Sequence, residues 1–310
     1  MHLTPGCTDD IFPVAVVGAG GPRYPWPAWE PRQRDFTGCE WLPRVFGSGP
    51  RRPLARRRRC VLSESLAVAV LNHNRTRDAI AIRALFAPHA PCVLIDSGSA
   101  LGPSERESID IALPNVHYSG MLREAVRRFA DARSILFVAS DVRVADAHEL
   151  VARAVDALSS HDVGAWAPSA QASAHPSMVY QATKRARRAP FVEGFCFAAK
   201  MDLLGELPID TELNSIGWGL DVHLGYLAAC RRSRCLVDDR VQVFHPRGSA
   251  YDKADARMQR DAWYAERSAS ARLFRRLTGF RSSHNERIAT LIAGLPWPHE
   301  PPREDRASRR

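Results

Sequence analysis

Leu66-Ala67-Val68-Ala69-Val70-Leu71-Asn72-His73-Asn74-Arg75 is the stretch on which the fold turns: six apolar residues in unbroken succession, followed at once by four polar ones. Strict alternation would describe a strand with one wet face. A short continuous apolar run closed by turn residues describes a strand covered on both faces, as in a parallel sheet. The pattern recurs downstream, where Cys92-Val93-Leu94-Ile95 runs into Asp96-Ser97-Gly98-Ser99 and Ile135-Leu136-Phe137-Val138-Ala139 runs into Ser140-Asp141. Helical periods fill the gaps. Thr76 is placed to cap a helix running toward Phe86; Leu122, Ala125, Val126, Phe129 and Ala130 share one helical face; Leu150, Val151, Ala154, Val155 and Leu158 repeat the pattern. Strands alternating with helices predict an α/β fold with a mostly parallel sheet flanked by helices.

In such a sheet ligands gather beyond the carboxyl ends of the strands, so the polar residues that follow each apolar run are the ones to weigh. Taken singly, Asn72, Asn74, Asp96, Ser140 and Asp141 read as caps or turn residues. Their recurrence at the same end of successive strands points to a binding site.

Residues 1–60 carry 9 of the 22 prolines and end in Arg56-Arg57-Arg58-Arg59, with no sustained period, and read as a disordered or non-native N-terminal extension. Within them Val17-Gly18-Ala19-Gly20-Gly21-Pro22-Arg23 looks superficially like a dinucleotide-binding loop. That reading fails: Arg23 stands at the third glycine position, Pro22 lacks a backbone donor, and no amphipathic helix follows to offer its N-terminus to a phosphate. The domain is expected over 61–295, with 296–310 as a flexible, charge-rich tail.

At 310 residues and 45% hydrophobic content the chain can build a substantial core. Its seven cysteines, Cys7, Cys39, Cys60, Cys92, Cys196, Cys230 and Cys235, include no CxxC pair and no zinc-finger spacing, which suits a reducing compartment. No apolar run approaches the roughly 18 residues of a membrane span, and the expected location is cytoplasmic. The net charge of +9 comes almost wholly from arginine, since Lys184, Lys200 and Lys253 are the only lysines. No nucleic-acid module accompanies that charge, so nucleic acid is not the expected partner.

Over roughly residues 65–250 the sequence resembles family 2 glycosyltransferases of the GT-A fold. Ala67 to Arg75 looks like the family's opening strand and asparagine-containing turn, and Val93 to Ser99 like its second strand, whose Asp96 is implied to face the donor base or ribose. Asn115-Val116-His117-Tyr118-Ser119-Gly120 resembles the next donor-side loop. Ile135 to Val142 occupies the place of the metal-binding acidic motif, with Asp141 as its carboxylate and Ala139 where a first acid usually stands. Phe191-Val192-Glu193-Gly194-Phe195-Cys196-Phe197 resembles the strand before the acceptor site. Gly217-Trp218-Gly219-Leu220-Asp221-Val222 resembles the loop and helix start that carry the catalytic base, with Leu220 where relatives often place a further acid. Arg240 to Pro246 resembles a late strand ending in a histidine, His245, that completes the metal or diphosphate site.

The resemblance implies a donor half at 61–165, an acceptor half at 166–250 and C-terminal helices at 251–295. It implies inverting transfer of a sugar from a nucleotide-diphospho-sugar to an acceptor hydroxyl, helped by a divalent cation, manganese or magnesium, on Asp141 and His245. Asp221 is then the catalytic base; Asn72, Asn74, Asp96, Ser119, Ser140 and Asp141 bind the donor; Glu193, Gly194, Trp218 and Gly219 meet the acceptor. Residues Tyr251 to Tyr264 are expected to order over the donor as a lid or helix. The family's habits suggest a saccharide or lipid-linked acceptor, with peripheral membrane contact and a part in cell-envelope or polysaccharide synthesis. Ala139 and Leu220 keep open a catalytically degenerate nucleotide-sugar-binding protein. A nucleotidyltransferase is disfavoured because residues 72–75 make a poor phosphate cradle, and a scaffold docking through Arg56 to Arg59 is the remaining alternative.

Overall fold

The computed structural model describes residues 66–171, 175–245, 251–267 and 271–272. The expected N-terminal extension at 1–60 and the tail at 296–310 lie outside these, as does most of the segment expected as C-terminal helices. Strands β1 (Leu66–Asn72), β2 (Cys92–Ser97), β3 (Ile111–Leu113) and β4 (Ser134–Ala139) alternate with helices α1 (Thr76–Phe86), α2 (Pro103–Glu107) and α3 (His117–Arg128). Then come β5 (Arg143–Val144), α4 (Ala147–Ser159), β6 (Val163–Ala170), β7 (Ala186–Ala189) and β8 (Cys196–Lys200). The last elements are α5 (Met201–Leu204), α6 (Leu220–Cys230), β9 (Arg234–Phe244) and α7 (Lys253–Ala265).

All nine strands join one sheet in the order β3-β2-β1-β4-β8-β6-β9-β5, with β7 also on β9. Every residue of β1 is buried, as its unbroken apolar run requires. Six strands share a direction; β8 runs against β4 and β6, and β5 and β7 run against β9. Parallel neighbours need a crossover, usually helical. The described residues between β6 and β8 hold no helix, which leaves β8 to insert antiparallel. Phe137 of β4 and Phe197 of β8 are register partners whose rings stack at 4.9 Å, a pairing that adds about 0.5–1.5 kcal/mol to the burial itself.

Three local expectations are corrected. Thr76 is the first helical residue of α1, and the cap position falls on Arg75 without a side-chain cap. Phe191 to Phe195 precede β8, which starts at Cys196, because the chain turns at Gly194 and Phe195. The late strand begins as early as Arg234 and ends one residue before His245.

Two β9 carboxylates that no motif singled out anchor its middle. Asp238, fully buried, takes Arg240 through both oxygens at 2.8 and 2.7 Å. Asp239 takes Arg187 at 2.9 and 3.1 Å and the Thr183 hydroxyl at 2.6 Å.

Candidate active site

The carboxyl ends of β1 and β2 are braced by a buried network. Asn72 donates its amide N–H to Asp96 Oδ1 at 2.6 Å; Asp96 also accepts the Ser99 hydroxyl at 2.5 Å and the Ser99 backbone N–H at 3.0 Å. Asn72 Oδ1 accepts the backbone N–H of Arg75 at 3.2 Å. The Asn74 N–H reaches Ser99 Oγ at 2.7 Å, fixing Asn74 in the left-handed region at φ 58°. With Asn72 and Asp96 at 0% and 1% exposure, their side chains shape the two loops from below. The residues turned outward are His73, Asn74 and Arg75. His73 Nδ1 lies 2.6 Å from the Ser97 carbonyl, which can only accept, so Nδ1 carries the proton and Nε2 accepts from the Asn74 amide at 2.9 Å.

One strand over, β4 runs beside β1 in register, Leu71 against Ala139, and the Ser140 N–H donates to the Leu71 carbonyl at 2.9 Å. Ser140, itself buried, is the step that puts Asp141 next to the 72–75 loop. Asp141 Oδ2 lies 3.4 Å from His245 Nε2, and the His245 ring stacks on Phe195 at 4.5 Å and 10°. Burial pushes the Asp141 carboxyl upward, but the His245 contact, the nearby Arg75 charge and its own backbone N–H outweigh it and hold the group below the ordinary carboxylate range. No group of three or more His, Cys, Asp or Glu side chains forms a metal cage among the described residues. Asp141 and His245 supply two oxygen and nitrogen ligands of the kind manganese accepts, and a cation there would take its remaining positions from ligand oxygens and water.

Asp221 stands in the first turn of α6, after Gly219 at φ 89°. Its carboxyl is pushed up to about 6 by burial, against the pull of backbone N–H groups from Val222, Asp221 itself and Gly194. Three tyrosines from distant parts of the chain surround it. Tyr118 donates to the Gly194 carbonyl at 2.8 Å, Tyr264 donates to the Gly219 carbonyl at 2.9 Å, and Tyr251 accepts the Trp218 indole N–H at 2.6 Å. Burial first, and then the Asp221 charge among other contributions, raises the pKa of all three. Tyr251 also feels Asp141, so the charges of both carboxylates act on the one hydroxyl.

The loop carrying Trp218 is built from inside. Asn214, fully buried, accepts the Ser119 hydroxyl on its carbonyl at 2.5 Å and the Gly217 N–H on its side chain at 3.0 Å, and donates to the Trp218 carbonyl at 3.0 Å. Ser119, expected on the donor, thus has its hydroxyl on this loop. The segment expected as a lid or helix forms α7, which packs on the 208–219 loop. Gln259 accepts from Ser215 and from the Ile216 N–H at 3.2 Å each, Trp263 donates to the Pro208 carbonyl at 3.3 Å, and the Arg260 guanidinium lies 6.0 Å over the Trp218 ring. Of the expected acceptor residues, Gly194 and Gly219 touch the Asp221 surroundings directly; a Cβ on Gly219 would stand 2.6 Å from Tyr264 Oη. Glu193 is half-buried beside them. His73 stands in the polar turn read at the end of β1, and Tyr251 and Tyr264 bound the segment expected as a lid or helix; Arg75, Tyr118 and the grouping of the three tyrosines near Asp221 were not read from the sequence.

No protein-family model and no curated protein matches the chain. Among solved structures it is similar to GalNAc-T7 with UDP, GalNAc and Mn2+, at 15% identity and TM-score 0.48 over 72% of this chain, which spans 55% of that one. It is also similar to glucosyl-3-phosphoglycerate synthase from Mycobacterium tuberculosis with Mn2+, UDP and glucosyl-3-phosphoglycerate, at 12% identity and TM-score 0.44 over 65% of this chain and 79% of that one. A third is S. aureus TarS 1-349, at 16% identity and TM-score 0.46 over 74% of this chain and 70% of that one. Likenesses of this degree assign no residue and no substrate. No helix among the described residues is long and apolar enough to cross a membrane.

Proposed function

We propose that the chain is a glycosyltransferase that moves a sugar from a nucleotide-diphospho-sugar to an acceptor hydroxyl by a single inverting displacement, with Asp221 as base. The observation that carries this reading is the Asp221 environment: a half-buried carboxyl in the first turn of α6, stabilised by backbone donors, pushed up to about 6 and acting on the Tyr118, Tyr251 and Tyr264 hydroxyls. A base with this pKa is ionised at neutral pH yet basic enough to take a hydroxyl proton as the new bond forms. In the step, the acceptor oxygen bonds to the anomeric carbon, its proton passes to Asp221, and the bond to the donor phosphate breaks with its electron pair going to the phosphate oxygen.

Asp141 and His245 would hold a divalent cation, whose charge would offset that of the leaving diphosphate. Asn74, turned outward, meets the donor directly, while Asn72, Asp96, Ser119 and Ser140 serve it by holding the loops in place. Gly194, Gly219 and Glu193 form the acceptor side, where Trp218 offers an aromatic surface to a sugar ring. A cytoplasmic setting and a lipid-linked or cell-envelope acceptor remain part of the proposal and rest on the family resemblance alone.

The test is a thermal-shift screen of the protein against UDP-, GDP- and dTDP-sugars with and without manganese, followed by turnover with any donor that binds. A shift dependent on donor, and turnover lost in Asp221→Asn, bear the proposal out. Binding without turnover under all acceptors tried would favour the degenerate reading that Ala139 and Leu220 suggest, and no shift with any donor would refute both.

A further inference from the structure

Arg75 occupies a position that the glycosyltransferase reading leaves unused. It closes the loop after β1, and the β1 and β4 register together with the Ser140 to Leu71 hydrogen bond sets that loop against Ser140 and Asp141. The buried Asn72 brace holds the Arg75 backbone N–H, and Ser99 holds that of Asn74, so the main chain that presents Arg75 is fixed from below. The side chain is not fixed. Among the described residues its ion pair, to Asp78 at 3.7 Å, joins two side chains that are 51% and 64% exposed, an arrangement that contributes little and restrains little. The guanidinium nevertheless lies near enough to Asp141 to act on its charge.

The charges in this corner also fit an arginine. With Ala139 in place of a second acid, Asp141 is the one carboxylate of its motif, and the Arg75 charge acts on it. A diphosphate then brings negative charge that one cation held on two side chains does not neutralise alone. Guanidinium matches phosphate oxygens with paired N–H donors and stays charged at every working pH.

We propose, resting on the nucleotide-sugar reading above, that Arg75 binds the diphosphate of the donor directly and gives this site an affinity for diphosphates that does not require the metal. The 72–75 loop is therefore a diphosphate site made by one side chain on a braced turn, not by a glycine-rich backbone cradle. Asp96 and Asn72 act as positioning residues for it.

The experiment is titration calorimetry of the whole protein with inorganic pyrophosphate, UDP and uridine, in EDTA and in manganese, for wild type, Arg75→Ala and Arg75→Lys. Wild type should bind UDP and pyrophosphate in EDTA. Arg75→Ala should weaken both by about 10-fold or more, the scale of a lost charge-assisted hydrogen bond, and leave uridine unchanged; Arg75→Lys should recover part of the loss. Unchanged melting temperatures of the unliganded variants show that the fold is intact. Equal affinity of Arg75→Ala and wild type for UDP and pyrophosphate overturns the proposal while sparing the nucleotide-sugar reading, as does a parallel loss for uridine, which would mean that the loop and not the phosphate contact was damaged. If wild type binds neither UDP nor pyrophosphate with or without manganese, the nucleotide-sugar reading falls and this proposal with it.

Discussion

Asp221→Asn should separate catalysis from stability in opposite directions. Folding moves the carboxyl from its ordinary 3.8 to about 6, so the native state binds a proton more tightly than the unfolded chain. The native protein then loses stability as pH rises from about 4 to about 6, and above that the full cost of burying the ionised group is present. The gap corresponds to at most roughly 3 kcal/mol. Asparagine keeps one oxygen to accept from Val222 or Gly194 and carries no charge, but its amide nitrogen faces donors and returns part of the gain. The expected net result is about 1–2 kcal/mol of added stability at pH 7.5, shrinking toward zero near pH 4. Urea unfolding of wild type and variant at several pH values reads this difference. Turnover should meanwhile fall by about 10²- to 10⁴-fold, and wild-type kcat/KM should rise with pH up to about 6 and then level off. A variant less stable than wild type at pH 7.5, with no pH dependence in the difference, would refute the assignment of a carboxylate whose pKa is raised by folding; retained turnover would refute its role as base.

Gly219→Ala places a Cβ 2.6 Å from Tyr264 Oη at a φ of 89°, and should cost about 1–3 kcal/mol in urea unfolding; adding Tyr264→Phe should recover part of it. Asp239→Ala leaves Arg187, only 13% exposed at its side chain, without its carboxylate, and should destabilise by about 3–5 kcal/mol with a clear drop in melting temperature. His245→Ala should raise the manganese concentration needed for half-maximal turnover while leaving the unfolding midpoint in EDTA within about 1 kcal/mol of wild type, since the ring is partly exposed and stacks on a single neighbour.

The first half of the sheet was legible because its strands are covered on both faces and so read as unbroken apolar runs: β1, β2 and β4 each lie within two residues of the span expected. β9 was seen only at its end, because Asp238, Asp239 and Arg240 interrupt its apolar character, and only the tertiary ion pairs show how a strand can bury them. Phe191 to Phe195 has strand composition but no strand partner ahead of Cys196. At the site, residues at strand ends were readable as a class, yet their division into braces and outward-facing groups was not, since whether Asn72 or Arg75 points out depends on Asp96 and Ser99 some twenty residues away. The tyrosine ring around Asp221 lay beyond reach for the same reason: Tyr118, Tyr251 and Tyr264 meet only through folding, and no local period marks them.

Helix α7 grips the 208–219 loop through Gln259, Trp263 and Tyr264, and it follows His245 by fewer than ten residues in the chain. The amides of the loop are therefore expected to exchange with solvent as a cooperative unit with α7, opening when that helix detaches, while the β1 and β4 amides persist to global unfolding. Substitutions on the outer face of α7, far from any reacting atom, would then tune how often the base is exposed to water.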